Sequence, residues 1–349
     1  MIRVMLSPGM QPSCKLVTMS LLLQLSWGAL VLLIVTVLSP CVAEENDAAG
    51  PRVAPPVTAV AFAPDGKSVV SCSQAGVQVH DWPALKQVRV IKASVANLHC
   101  LAFSPNGKLL AVGGGDPAES GVIEILSWPA GKRVATLNKH ADSVRSVAWL
   151  SDTRLVSASL DRQVKRWDVE QRSVLETYQG HSRGVLTICL LGDGKTLVSG
   201  GEDQSLRVWQ LAPAQLVRSM DQHSKTVHDL ALRPAVAGLP MVASASEDRT
   251  VRIWQPTIGR MVRFVRLRVP PLAVAWTPDG SRVVASCTDG QVRVIDPETV
   301  KVMQELPAVE GWAYSLAVHP SDGSLVVGGQ NGQLRRVIMA QDAASKPGN

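Results

Sequence analysis

The sequence predicts an all-β fold: a seven-bladed β-propeller of four-stranded antiparallel blades. Three observations predict it. One motif of about 42 residues is repeated along the chain, the mark of a repeat architecture. Each copy holds four short apolar runs separated by Gly, Pro, Asn and Asp, the pattern of strands and turns. Beyond residue 43 no stretch sustains a helical period.

Three copies are strong. "HADSVRSVAWLSDTRLVSASLDRQVKRWD" starts at His140, "HSRGVLTICLLGDGKTLVSGGEDQSLRVWQ" at His181 and "HSKTVHDLALRPAVAGLPMVASASEDRTVRIWQ" at His223. Each carries His, Ser, Asp and Trp in that order: His140, Ser157, Asp161, Trp167; His181, Ser199, Asp203, Trp209; His223, Ser244, Asp248, Trp254. Asp and Trp are six residues apart each time. Weaker copies start at Val57, Leu98, Leu272 and Tyr314. The positions equivalent to the Asp are Gln74, Ser120, Asp161, Asp203, Asp248, Asp289 and Asn331. Those six later are His80, Leu126, Trp167, Trp209, Trp254, Ile295 and Val337.

In the third copy strand one reads "VRSVAW", strand two "RLVSAS", strand three "QVKRWD" and strand four "SVLETY". Turns announce themselves as "PDG" at 64–66, "PNG" at 105–107, "GDG" at 192–194 and "PDG" at 278–280. "GGGDPAESG", 113–121, opens no helix and reads as a lengthened loop between strands two and three rather than a phosphate cradle. A single four-stranded unit cannot bury both its faces. Stacked radially each covers its neighbour, and closing the ring removes the exposed ends.

Residues 1–43 form a separate object, predicted to be a signal peptide or membrane anchor. Arg3 and Lys15 precede a long apolar run, Leu16 to Leu38, and Cys41 and Ala43 provide small residues for a cut before Glu44. "LSPC" also offers a lipobox-like reading ending at Cys41. Positive charge before the run and Glu44-Glu45 after it place the remainder outside the cytoplasm, whether secreted, periplasmic or membrane-anchored, with a possible membrane tether. Residues 44–52 follow as a short linker, 53–340 as the propeller and 341–349 as a disordered tail.

The His, Ser, Asp, Trp order, with a literal Trp-Asp pair at Trp167-Asp168, resembles the WD-repeat, or G-β-repeat, propellers. The similarity covers about Val53 to Ala340, strongly in the three middle copies and partially in the outer four. Together with the leader, it reads as an extracytoplasmic, bacterial-type member of that family. The resemblance also implies that the sequence repeat is offset from the blade, with the closing outer strand drawn from around Gly50 to Ala54. The His, Ser, Asp and Trp would form a hydrogen-bonded chain inside one blade, and partners would bind the face carrying the loops into strand one and between strands two and three.

A catalytic site needs one copy of its nucleophile and base, and here the constellation occurs three times. That recurrence predicts packing devices and no catalytic residue. H-E-x-x-H, G-x-S-x-G, P-loop and dinucleotide motifs do not occur in the sequence, so no metal and no cofactor is expected. The formal charge of +6 lacks the dense basic stripe of a nucleic-acid binder. Cys72, Cys100, Cys189 and Cys287 are widely spaced and read as small buried residues. Lys165, Arg207, Arg252, Arg293 and Arg335 all sit four after the Asp position, a repeat feature. "RMVRFVRLRV", Arg260 to Val269, occurs once; it reads as a solvated outer strand or as a contact for an anionic surface or acidic partner.

Function on such a scaffold resides in loops and rim side chains. The residue before each Asp position and the second residue of each strand one should share a face. From these, Tyr314, Arg145, His228 and His99, with Leu160, Glu202 and Glu247, and beside them Trp312 just before Tyr314, are the candidate partner-binding residues, because exposed aromatics and Arg anchor interfaces. Trp312 fits no repeat slot and has a competing role in filling the ring closure. The expected function is a non-catalytic, monomeric scaffold for another protein. A small-ligand or glycan binder acting through the central channel, and a propeller enzyme, are the alternatives.

Overall fold

The computed structural model describes residues 54–95, 97–234 and 238–340. Blade one pairs β1 (Ala59–Phe62), β2 (Ser68–Ser73), β3 (Gly76–Asp81) and β4 (Gln87–Ile91) antiparallel in chain order. Blade two follows with β5 (Leu98–Phe103), β6 (Leu109–Asp116), β7 (Ser120–Ser127) and β8 (Arg133–His140), and blade three with β9 (Val144–Ser151), β10 (Arg154–Ser159), β11 (Gln163–Asp168) and β12 (Ser173–Gln179). Blade four holds β13 (Val185–Leu190), β14 (Thr196–Gly201), β15 (Leu206–Gln210) and β16 (Gln215–Met220). Blade five holds β17 (Val227–Leu232), β18 (Val242–Ser246), β19 (Thr250–Gln255) and β20 (Arg260–Arg266). Blade six holds β21 (Pro271–Trp276), β22 (Val283–Cys287), β23 (Gln291–Asp296) and β24 (Lys301–Pro307). Blade seven has three described strands, β25 (Ala313–Val318), β26 (Leu325–Gly329) and β27 (Leu334–Val337).

The first strands touch in sequence, β1, β5, β9, β13, β17, β21 and β25, and β25 meets β1 again. That cycle closes a seven-bladed propeller. The second strands β18, β22 and β26 are buried at every residue, because a neighbouring blade covers each face. Outer strands meet solvent, and β24 alternates exposed and half-buried residues throughout. Apolar side chains fill the gaps between blades. Trp167 packs with Ala111, Ile123 and Ile125 of blade two, Trp209 with Val156 and Val164 of blade three, and Trp254 with Val198 and Val208 of blade four. The strand-three Trp is thus the wedge against the preceding blade.

A belt of polar contacts reinforces this packing near the axis. Ser146 Oγ accepts from Ile188 N (3.4 Å), Thr187 Oγ1 from Leu230 N (3.1 Å) and Asp229 Oδ2 from Val274 N (2.9 Å). At the ring junction Ser315 Oγ donates to Val57 O (3.1 Å), and Val57 N to Gly329 O (3.1 Å). The turns use the chemistry their sequences announce. Asp65, Asn106, Asp193 and Asp279 each accept from a backbone N–H two residues on.

Two local expectations change. The 113–121 segment is a longer hairpin, not a longer loop: β6 and β7 pair as far as Asp116 and Ser120, because Gly113, Gly114, Gly115 and Gly121 let neighbouring atoms approach closely. The expected closing strand falls on residues 50–53, outside the described ones; Ala54 itself stands against Gly332, just before β27. The predicted leader, linker and tail at 1–43, 44–52 and 341–349 also lie outside the described residues. Among those described, no helix is long and apolar enough to cross a membrane.

Candidate functional site

The His, Ser, Asp and Trp side chains meet within each middle blade. His181 Nδ1 stands 2.9 Å from both carboxylate oxygens of Asp203, and its Nε2 2.7 Å from Ser199 Oγ. Trp209 Nε1 donates to the same Oγ at 2.8 Å. His140, Ser157, Asp161 and Trp167 repeat this with 2.7, 2.8 and 2.8 Å, and His223, Ser244, Asp248 and Trp254 with 2.7, 2.7 and 2.8 Å. One proton assignment satisfies the chain: the indole donates to the serine, the serine to Nε2, and Nδ1–H to the carboxylate. A neutral imidazole fits, since burial pulls His140 and His223 below the usual histidine value even against the pull of Asp161 and Asp248.

The Ser, His and Asp order mimics a hydrolytic triad, and burial decides against that role. His181 is 6% exposed and Ser199 0%, with the hydroxyl's lone pair taken by an indole. A nucleophile needs access to a substrate. Blade one keeps a reduced version, Ser71 Oγ against His80 Nε2 at 3.2 Å. Blades two, six and seven put Val112 and Leu126, Ala285 and Ile295, and Val327 and Val337 in the Ser and Trp positions, so contact there is apolar. In blade six Arg293 grips Asp289 through two hydrogen bonds, of 3.1 and 2.7 Å. Arg207 and Arg252 likewise pair with the Asp of their own blades.

Around the channel mouth the structure brings several candidates together. Arg145, second in β9, donates Nη1 to His99 Nδ1 of β5 at 2.9 Å. Burial and the Arg145 charge push His99 down to about 4, so it accepts as a neutral ring. Burial also lowers His228 in β17, against the pull of Glu247 and with a further push from Arg145. Glu202 acts on Arg145 through space, opposing the effect of burial on the guanidinium. Leu160 and Glu202 both abut Gly184, where an added Cβ would stand 2.8 and 3.0 Å from them. Glu247 reaches Lys225 Nζ at 3.4 Å.

Trp312 and Tyr314 form a separate pair at the start of β25, with ring centroids 5.7 Å apart. Trp312 is 48% exposed, so much of its ring is left uncovered rather than filling the closure. Sequence reading missed Asp229. It accepts from Leu230 N, Thr187 Oγ1 and Val274 N, tying blades four, five and six, and burial pushes it up to about 6 despite these bonds. The available signal was a carboxylate in a slot where other copies carry Cys100, Ser146, Thr187 or Ser315.

The repeat profile described as WD domain, G-beta repeat matches residues 52–81, 85–117, 131–168, 172–210, 214–255 and 269–296. The chain belongs to the WD40 family. Three matched segments, 131–168, 172–210 and 214–255, run from an outer strand through the first three strands of the next blade, so repeat and blade are offset. The WD40 chain is 27% identical over 230 residues to Periodic tryptophan protein 2 of Arabidopsis thaliana, covering 64% of this chain and 25% of that protein. It is 30% identical over 206 residues to Nuclear distribution protein nudF of Aspergillus niger, covering 54% and 45%. A third relative, Telomerase protein component 1 of Rattus norvegicus, is 27% identical over 282 residues, covering 76% and 10%. This chain thus spans less than half the length of each of these relatives.

These relatives correct the expected setting. A nuclear distribution protein and a telomerase component are nuclear or cytoplasmic machinery, so the extracytoplasmic setting is overturned, and with all three organisms eukaryotes nothing supports the bacterial type. The assignment rested on hydropathy and flanking charge at residues 1–45, and those features say nothing of the propeller's own descent.

Proposed function

We propose that this WD40 propeller is a non-catalytic, monomeric scaffold that binds a segment of another protein on its loop-bearing face. Residues 53–340 form the scaffold. The observation that carries the reading is Arg145. It is half-buried, is steadied by one bond to a neutral His99 and is in no ion pair among the described residues. A guanidinium has five N–H donors, so most of its capacity is open to an incoming acceptor. Glu202, Glu247, His228 and Leu160 give the mouth mixed polar and apolar contact, and the exposed Trp312 with Tyr314 supplies an aromatic anchor on blade seven.

The test is selection of peptides from a random display library on the immobilised protein. Binding of the selected peptides is then measured with Arg145→Ala and Trp312→Ala. The reading expects each substitution to weaken binding about tenfold or more, the effect of truncating an interface anchor. Selected peptides that bind both variants as they bind wild type would defeat it.

A further inference from the structure

The outer strand of blade five carries a surface that the loop face does not use. β20 is the last strand of its sheet, so one row of its backbone N–H and C=O groups has no strand partner among the described residues. It is also charged unlike any other outer strand. Arg260, Arg263 and Arg266 lie within it, Arg268 two residues beyond, and no acidic residue interrupts them. Outer strands β4 and β16 carry one arginine each, β8 Arg133 and Lys139, β12 only Glu176, and β24 balances Lys301 with Glu305.

All four arginines are exposed. Arg263 meets Glu298 at 2.6 Å, while Arg260, Arg266 and Arg268 are in no ion pair among the described residues. Among them Phe264 is 48% exposed, with the Arg252 guanidinium 5.5 Å from its ring centroid. A one-sign edge repels like strands and gives neutral ones no compensation. The same array favours a strand of opposite charge, because cross-strand pairs of opposite sign are stabilising.

We propose that β20 docks an acidic, extended segment of a partner protein, adding it as a fifth strand to blade five. Carboxylates of the incoming strand meet Arg266 and Arg268 on one face and Arg260 on the other, across the bulge at Val262, and an apolar side chain covers Phe264. The free edge favours a peptide over a nucleic acid, since its backbone donors and acceptors are matched in register by another backbone and not by a phosphate chain.

The experiment measures binding of a synthetic strand-length peptide of glutamates around one central valine to the full chain, by fluorescence anisotropy at low salt. Wild type binds. Arg260→Glu/Arg266→Glu/Arg268→Glu weakens binding about tenfold or more with an unchanged melting temperature, as expected for exposed side chains. Glu298→Gln releases Arg263 from its carboxylate and tightens binding, a gain that misfolding cannot imitate. Methylating alternate backbone nitrogens of the peptide abolishes binding. The proposal is overturned if wild type does not bind, if Glu298→Gln binds no tighter, if the methylated peptide binds equally well, or if a polyuridine strand binds more tightly than the peptide at the same salt.

Discussion

The indole N–H of Trp209 donates to Ser199 Oγ at 2.8 Å, and the equivalent bonds in the two flanking blades have the same length. Repetition at one geometry in three consecutive blades is what a fold-fixing contact requires. Each bond ties a wedge against the previous blade to a strand buried on both faces, so the polar chain sets the spacing of blades as well as the shape of each.

Acid should unfold the protein through these chains. Burial pushes Asp203 and Asp248 up, but hydrogen bonds from His181, Ser182 and Ser205, and from His223, Thr250 and Ser224, outweigh it and hold both well below the ordinary carboxylate range. Their stabilisation is complete above the unfolded value near 3.8 and is lost as pH falls toward the folded values. His140 and His223, lowered from 6.5, add the same sign: the unfolded chain takes those protons first. Calorimetry from pH 7 to pH 3 should show a falling melting temperature, and Asp248→Asn should flatten the low-pH part of the fall.

Asp229 should act in the opposite sense. Its folded value near 6 exceeds the unfolded 3.8, so between these the native state holds the extra proton. Stability from this group is therefore present below about pH 4 and lost as pH rises through 6. Threonine occupies the same slot in blade four, so Asp229→Thr keeps an acceptor for Val274 N without the charge. The stability of Asp229→Thr relative to wild type should rise from pH 4 to pH 7; a constant difference would show that Asp229 is not perturbed.

At the channel mouth, His99 should remain neutral through physiological pH. Its proton-coupled chemical shift should titrate with a midpoint near 4 and move up in Arg145→Ala, where the opposing charge is gone. Peptides bound at the mouth should accordingly show no His99-linked change between pH 8 and pH 6.

Among the described residues Trp312 is the one exposed tryptophan; the others are buried or half-buried. Iodide should therefore quench a minor part of the fluorescence, and Trp312→Phe should remove most of it. Quenching that survives the substitution would show that the ring is covered.

Much of this was legible in the chain. The seven copies, their turn residues and the shared slots of His, Ser, Asp and Trp follow from periodicity, because each blade must solve the same packing problem. The contact of Arg145 with His99 joins different blades, and only the slot argument placed them on one face; no spacing gives their distance. Asp229 escaped notice because its partners are mostly backbone groups of neighbouring strands, which leave no mark in sequence. The expected extracytoplasmic setting failed because it rested on apolar length and flanking charge at residues 1–45, which carry no record of the propeller's descent.

The central claim is that the buried polar chains hold blades together and perform no chemistry. Ser157→Ala, Ser199→Ala and Ser244→Ala test it together by chemical unfolding, with labelling by a fluorophosphonate serine probe in parallel. Each leaves an indole N–H and an imidazole Nε2 without a partner, so each should cost about 1–3 kcal/mol, comparable across the three, and wild type should take no label. Stoichiometric labelling of Ser199, lost in Ser199→Ala with stability unchanged, would contradict it.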